Sequence, residues 1–412
     1  MMRLLWVSSL VLLMGEDGVS ATPLPTTNAT ASASTTGRAG WALLPEFSAT
    51  VALGCAFTDP LNGIIVGGQD GVGAQVWATD DGGRVTRPAT LESGGSPVLM
   101  LLAGDAVREN AVASGVFAAW ASQDSGATFA PAGGLGAIGP AQSVDGFIED
   151  GAIKFVITGD TITHNGIAVS EDGGQTFGAG IEVFGDKTIE ARIGARYFAA
   201  AAPNAWFVSG GRWPSTTQET DDVHHLTENI YVKKSPGANE STFGFTKPAE
   251  RVRSLQEADP FTAGIALSSD GGQTWRTIFE TETAGYYFNQ ISCWDATRCA
   301  VVAEGGGQAR ILVTRDSGLT WRQTLEATGS LMAIQAFQGV AGAEGEGWAG
   351  GGVLGFPTFI GHYWHTTDYG ETWQLNEVEG AYAFDLSFGP GQNAVGYSTV
   401  LTPCMSRLAR YE

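Results

Sequence analysis

An all-β fold is predicted by three observations. One eight-residue pattern, Ser/Thr, any, Asp, any, Gly, any, Thr, aromatic, recurs six times along the 412 residues, once in degenerate form. Each copy lies between short runs of alternating apolar residues, and no long stretch shows helical periodicity. The composition, with 58 glycines, 12 tryptophans and only 16% charged residues, suits a glycine-punctuated sheet protein with an ample core. The spacing of the copies then points to a seven-bladed β-propeller.

The copies read TDDGGRVT from Thr79, SQDSGATF from Ser122, SEDGGQTF from Ser170, SSDGGQTW from Ser268, TRDSGLTW from Thr314 and TTDYGETW from Thr366. Apolar runs such as GIAV, GIAL and RILV precede them, so each reads as strand, tight turn, strand. Asp81, Asp124, Asp172, Asp270, Asp316 and Asp368 are placed to accept backbone N–H groups of their own turns. Gly83, Gly126, Gly174, Gly272, Gly318 and Gly370 supply positive φ. Phe129, Phe177, Trp275, Trp321 and Trp373 open the next strand and are expected to pack inward, so the turn is a folding device that holds one blade together. One carboxylate per turn is a poor share of the roughly 6 to 8 oxygens that calcium takes, and no metal is expected. The turn resembles the Asp-box of sialidases, sortilins and photosystem II assembly factors.

The turn aspartates are separated by 43, 48, 98, 46 and 52 residues. Such a period matches one four-stranded blade. The long interval holds either a degenerate blade or one blade with an insertion, and the second is preferred: RYFAAA and AWFVSGG are strands one and two, GIALSS and QTWRTIF strands three and four, and 212–262 lies between them. After the sixth turn, YAFDLSF, NAVGYS and SRLARY give three more strands. The fourth is expected from GWALLPEF at 40–47, which closes the ring by pairing the chain ends and leaves no free edge. Residues 41–412 thus form one domain of six turn-bearing blades and a seventh shared between the termini, six or eight blades being the alternatives.

Arg3, the apolar run Leu4 to Met14, and small residues at Val19 and Ala21 mark residues 1–21 as a secretory signal. That run is too short to span a bilayer comfortably. Residues 22–40 are rich in Ser and Thr and read either as a linker or as the transit half of a bipartite presequence. Asn28 and Asn239 lie in glycosylation sequons. Of four cysteines, Cys293 and Cys299 flank WDATR between two strands and are expected to bridge that hairpin, two buried thiols being the alternative. Cys55 sits in the matching position of the first repeat, and a pairing with Cys404 would tie the chain ends together, which spacing alone does not decide. The net charge of −21 argues against nucleic acid or anionic lipid as the main partner. A soluble monomer of the secretory route is expected, or of the plastid thylakoid lumen if 22–40 is a transit segment.

In a propeller, the connections from strand two to strand three open on the face opposite the repeated turns, the face where ligands usually bind. The insertion belongs there, which makes Arg212, Trp213, Asp221, Asp222, His224, His225, Arg251 and Arg253 the candidate binding residues. Adjacent histidines on an extended segment point to opposite sides, so His224 and His225 are not expected to share a metal. A sialidase needs three arginines on the substrate carboxylate, a tyrosine with a glutamate partner as nucleophile, and an aspartate acid/base. The only near match to that family's Arg-Ile-Pro motif is Arg192-Ile193-Gly194, in mid-chain and without the proline. Asp-box xyloglucanases place two catalytic aspartates between two propellers, and this length provides one. No phosphate loop or GxSxG is present. No catalytic residues and no cofactor are expected.

The first repeat, CAFTDPLNGIIVGGQDGVGAQVWATDDGG from Cys55 to Gly83, resembles the blade unit of the photosystem II stability/assembly factor family through Phe57, Asp59, Gly63, Val66, Gly67 and the turn that follows. Weaker echoes run from Ile291 to Trp321 and from Gly347 to Trp373. The resemblance covers about 41–412 and implies a seven-bladed, non-enzymatic chaperone of the thylakoid lumen that binds reaction-centre protein through a basic patch. This chain departs from the pattern in its acidic balance, which leaves no evident basic patch outside the insertion. The expected function is a non-catalytic scaffold binding a protein partner. The alternatives are a sialidase-type glycoside hydrolase and an extracellular glycan-binding propeller.

Overall fold

The computed structural model describes residues 40–412 except 48, 70–71, 93–99, 116–117, 136–140, 161–164, 186–192, 213–230, 235–240, 245–261, 282–284, 356–357, 390–394 and 403–405. Every regular element among the described residues is a strand. The chain divides into two compact units, Trp41–Gln218 with Gln256–Glu412, and Met1–Gly40 with Glu219–Leu255.

The first unit is a ring of seven sheets, each built from antiparallel strands taken up in chain order from the innermost outward, except that Thr90–Leu91 pairs parallel on the outside of blade 2 and Trp41–Leu43 completes blade 7. Blade 1 is Val51–Phe57, Gly63–Gln69, Gly73–Thr79 and Arg87–Pro88; blade 2 is Ala103–Val107, Asn110–Ser114, Ala119–Ser122 and Thr128–Pro131. Blade 3 is Ala141–Glu149, Ala152–Asp160, Asn165–Ser170 and Ile181–Glu182; blade 4 is Gly194–Ala202, Ala205–Arg212, Thr262–Ser268 and Arg276–Thr281. Blade 5 is Tyr287–Cys293, Cys299–Gly305, Gln308–Thr314 and Arg322–Thr328; blade 6 is Ser330–Ala336, Gly347–Gly355, Thr358–Thr366 and Gln374–Glu379. Blade 7 is Tyr382–Phe388, Gly396–Leu401, Ser406–Tyr411 and, on its outside, Trp41–Leu43.

Each inner strand has a blade on either side, so burial runs along it on both faces rather than alternating, as in Val51–Phe57 and Tyr382–Phe388. The core accordingly lies between blades. At the seam of blades 4 and 5 it comprises Phe207, Ile265, Phe288, Ile291 and Val301. At that of blades 7 and 1 it comprises Tyr397, Leu408, Phe57 and Trp77.

The innermost strands share two departures from a regular ladder. In six of the seven, the register slips at the second or third position, where the buried residues Leu53, Gln142, Arg196, Asn289, Met332 and Phe384 stand. In blade 1 the bulge brings the two backbones together and a glycine stands opposite it: a Cβ on Gly67 would lie 2.0 Å from the Val51 carbonyl oxygen. This is the physical reason for the Val66-Gly67 pair of the first repeat.

The second departure concerns hydrogen bonds. An innermost strand is a sheet edge whose outer N–H groups find no strand partner, and buried N–H groups require one. Side chains of the preceding blade supply it. Asp385 Oδ2 accepts from Cys55 N (3.1 Å), Ser387 Oγ from Phe57 N (2.8 Å) and Asp105 Oδ2 from Gly146 N (2.6 Å). Gln290 Oε1 accepts from Ile334 N (2.7 Å), Ser292 Oγ from Ala336 N (3.0 Å) and Gln335 Oε1 from Phe388 N (2.8 Å). These rungs stitch blade to blade.

The repeated turns follow one plan. In blade 3, Ser170 Oγ donates to Asp172 Oδ1 (2.8 Å) and accepts from Gly174 N (2.8 Å). Asp172 in turn accepts from Thr176 N (2.9 Å) and from Thr176 Oγ1 (2.5 Å). In blade 4 the same hydroxyl and N–H from Thr274 hold the Asp270 carboxyl down at about 2. The turn also acts beyond its own blade: Gly174 has φ 93°, and a Cβ there would come within 2.2 Å of Val112 in blade 2. It is therefore a joint between blades as well as within one. In the degenerate first copy, Val85 stands where the others have threonine and gives Asp81 its N–H (2.9 Å) but no hydroxyl. Val85 is 54% exposed, so Val85→Thr is expected to add one hydroxyl-to-carboxylate bond and about 0.5–1.5 kcal/mol of stability. An unchanged melting temperature would show that the hydroxyl adds nothing to the backbone bond.

The ring closes as the sequence suggests, with a shorter strand. Trp41 pairs with Tyr411 and Leu43 with Ala409, and Leu44 N adds a bond to Leu408 O before Pro45, which has no N–H to offer. Trp41 stacks on Tyr363 of blade 6, with centroids 4.2 Å apart. Cys293 and Cys299 form a disulfide across the hairpin of blade 5. Cys55 carries a free, buried thiol, and its place in the strand corrects the expected match: the counterpart of Cys293, the last residue of its inner strand, is Phe57. Cys404 lies outside the described residues, as do residues 1–21, the 22–39 segment, Asn28 and Asn239. No helix among the described residues is long and apolar enough to cross a membrane.

Candidate functional site

The insertion leaves from the end of the second strand of blade 4 and returns into its third. Gly211 pairs with Ala263 and Arg212 with Thr262, so the ladder runs unbroken to the point of departure. Within the second unit, Tyr231–Lys234 and Ser241–Gly244 pair antiparallel, with Lys234 opposite Ser241. Of the candidate residues, only the backbone of Arg212 is described; Trp213, Asp221, Asp222, His224, His225, Arg251 and Arg253 lie outside the described residues.

The ground from which the insertion springs is described, and it is polar. Gly211 lies so close to blade 5 that a Cβ on it would meet the Tyr287 Cβ at 2.5 Å. Two residues before it, Ser209 Oγ donates to the Asn289 carbonyl (2.6 Å). Asn289, at the bulge of blade 5, joins three blades. Its Oδ1 accepts from Arg196 Nη2 of blade 4 (3.0 Å), and its Nδ2 donates to the Leu331 carbonyl of blade 6 (2.8 Å) and to Glu304 Oε1 (3.2 Å). The Tyr287 hydroxyl donates to the same Glu304 oxygen, and the Arg196 guanidinium lies over the Tyr287 ring, 4.8 Å from its centroid. On the other side, Thr158 Oγ1 donates to the Arg196 carbonyl, and Ser143 Oγ donates to Asp145 Oδ2 (2.8 Å). A connected polar network thus crosses the inner strands of blades 3 to 6.

Tyr287 and Glu304 form the kind of Tyr–Glu couple that the sialidase reading asks for, but the arrangement is turned inward. Tyr287 is 0% and Glu304 4% exposed, and the carboxylate is engaged by two donors. Side chains buried and bonded in this way hold their neighbours in place. Among the described residues, no group of three or more His, Cys, Asp or Glu side chains is arranged to hold a metal ion.

Sequence reasoning missed Arg196, Tyr287, Asn289 and Glu304. The signal available was a polar residue interrupting an apolar inner run, as in ARYFAAA and YYFNQIS, which is hard to tell from a surface position until the bulge is known.

No known family's sequence profile matches the chain. A xyloglucanase of Paenibacillus sp is 25% identical over 227 residues, which are 44% of this chain and 22% of that protein. The chain thus matches less than a quarter of that relative's length. Among solved structures, YCF48 bound to a D1 peptide superposes with a TM-score of 0.50 at 14% identity, over 90% of this chain and 96% of that one. The WD40 β-propeller domain of Doa1 also gives 0.50, at 10% identity, over 91% and 97%. At such identities the likeness is one of fold. The chain is a seven-bladed β-propeller with the YCF48 propeller among its structural neighbours.

Proposed function

We propose that this propeller is a non-catalytic scaffold, secreted or lumenal, that captures a protein partner on the face carrying the insertion, as photosystem II assembly factors do. The observation that carries the reading is the unbroken pairing up to Arg212 and Thr262. A blade already complete at those residues does not need the segment between them for its own ladder. The YCF48 neighbour, seen with a D1 peptide, supports a peptide or protein as the kind of ligand. The inward-turned network at the insertion root supports a positioning role for the residues beneath it.

Replacing 213–261 by a short Gly/Ser bridge is expected to leave the melting transition in place and to abolish capture. The intact and shortened proteins, immobilised side by side, are presented to an extract of the chain's own cells, and the proteins retained by each are compared. Equal retention would place recognition elsewhere on the propeller. The xyloglucanase match favours a second reading, a glycan hydrolase. Release of reducing ends from xyloglucan above the protein-free control would replace the scaffold reading with that one. Localisation of the full-length protein, tagged at its C-terminus, separates the plastid lumen from the secretory route.

A further inference from the structure

Two hairpins of the ring are built to one plan, and what they carry differs. In blade 1, Thr58 N donates to the Asn62 carbonyl (3.0 Å), and Asp59 Oδ1 accepts from Leu61 N (2.7 Å) and Asn62 N (2.9 Å). In blade 5, Trp294 N donates to the Arg298 carbonyl (2.9 Å), and Asp295 Oδ1 accepts from Thr297 N (2.8 Å) and Arg298 N (3.0 Å). In the blade that follows each, the repeated turn is tied to its own hairpin in the same way: Ser125 N donates to the Glu109 carbonyl (2.9 Å), and Tyr369 N to the Gly345 carbonyl (2.8 Å). Thr58 therefore stands where blade 5 has Trp294, Asn62 where it has Arg298, and Ser125 of blade 2 where blade 6 has Tyr369.

Blades 5 and 6 fill their seam with these three large side chains. Trp294 is 5% exposed; its Nε1 donates to the Glu346 carbonyl (2.6 Å), and its ring meets that of Tyr369 edge-on, with centroids 5.8 Å apart. The Arg298 guanidinium lies over the Tyr369 ring, 3.8 Å from its centroid. The indole is pressed so closely on the backbone that a Cβ on Gly347 would come within 3.4 Å of its Cζ2, and one on Gly370 within 3.2 Å of its Cη2.

Between blades 1 and 2 the same place is a shallow notch, lined by Asn62, Ile64, Arg108, Asn110, Ala111 and Ser125, of which Asn62, Arg108 and Ser125 are exposed. Counted from the tied carbonyls of Glu109 and Gly345, Asn110 answers to Glu346 and Ala111 to Gly347; counted along the hairpin, Ile64 answers to Ala300. Ile64 and Ala111 are bulkier than their counterparts, so the floor is raised but stays apolar. We propose that this notch binds an aromatic side chain of a protein partner, seated on Ile64 and Ala111 with the Arg108 guanidinium beside it, in the place that blade 5 fills with its own Trp294.

The chemistry favours a ring over other groups. An apolar floor takes the ring's face or edge, a guanidinium at the rim is attracted to its π-cloud as Arg298 is to Tyr369, and the Asn110 backbone stands where the Trp294 N–H finds its acceptor. An anion is disfavoured, because Glu109 is exposed next to Arg108 in the same turn. The notch belongs to the ring of blades itself, so it stands whether or not the insertion captures a partner.

The test uses the full chain with N-acetyltryptophanamide as the probe, followed through the amide resonances. The signals of Ile64, Ala111 and Ser125 are expected to move with a dissociation constant of about 1–10 mM, while those of Ala300 and Gly347 stay in place. N-acetylleucinamide, without a ring, is expected to bind about fivefold more weakly. Thr58→Trp supplies the chain's own indole as blade 5 does, and is expected to weaken the probe about tenfold without lowering the melting temperature. Arg108→Ala, a change at an exposed position, is expected to weaken it about threefold and decides the matter if Thr58→Trp does not fold. Signals that do not move, equal binding of the leucine compound, or full binding by a folded Thr58→Trp or Arg108→Ala protein would overturn the proposal.

Discussion

Asn289→Leu is expected to cost about 3–5 kcal/mol, one of the two largest single-residue effects here. The leucine matches the amide in size, so the loss comes from what it strands: Arg196 loses an acceptor, and the Leu331 carbonyl and the buried Glu304 side chain each lose a donor. Each of these belongs to a different strand, and together they span blades 4, 5 and 6. Urea unfolding should show the midpoint shifted at unchanged slope, the mark of a loss of stability without a change in compactness. A loss under about 1 kcal/mol would mean that apolar packing alone holds these seams.

Trp41→Ala is expected to cost a similar amount, about 3–5 kcal/mol, for a different reason. The indole stacks on Tyr363, meets Trp348 edge-on with centroids 5.8 Å apart, and lies beside Phe388 and Tyr411. Its strand is only three residues long and bonds to blade 7, while its ring reaches blade 6. Removing the ring leaves a short ladder to hold the first strand against the last. Thermal melting reads the loss, and limited proteolysis reads its location, since cleavage should appear first at residues 44–50. A variant that melts like the parent and resists cleavage there would show that backbone pairing suffices to close the ring.

The blades were legible in the sequence because their punctuation is local. A turn built from Ser170, Asp172, Gly174 and Thr176 makes the side-chain hydrogen bonds that define it within seven residues, so its recurrence marks successive blades. Closure was legible for a related reason: three strands after Trp373 leave one missing, and the apolar run at Trp41 is the available piece. The inner polar residues were not legible. Arg196, Asn289 and Glu304 meet partners on other blades, and their inward turn depends on a bulge that no local pattern announces. The acid rungs were hidden likewise, because Asp105 and Asp385 read as ordinary polar breaks in apolar strands until Gly146 and Cys55 of the next blade are placed beside them. Val85 shows the converse: as a departure from a local pattern, it was visible at once.

The pairing of the first strand with the last also bears on how the chain reaches this state. Leu44 accepts hydrogen bonds from Arg407 across 363 positions of sequence. During synthesis the strand at Trp41–Leu43 emerges long before its partner Ser406–Tyr411 is made, while six blades form by short hairpins between them. Such long-range closure is slow and leaves a strand edge open to wrong pairings in the meantime. A chain cut short before Ser406 lacks the strand that receives Trp41, so the ring closes only after synthesis has passed Tyr411.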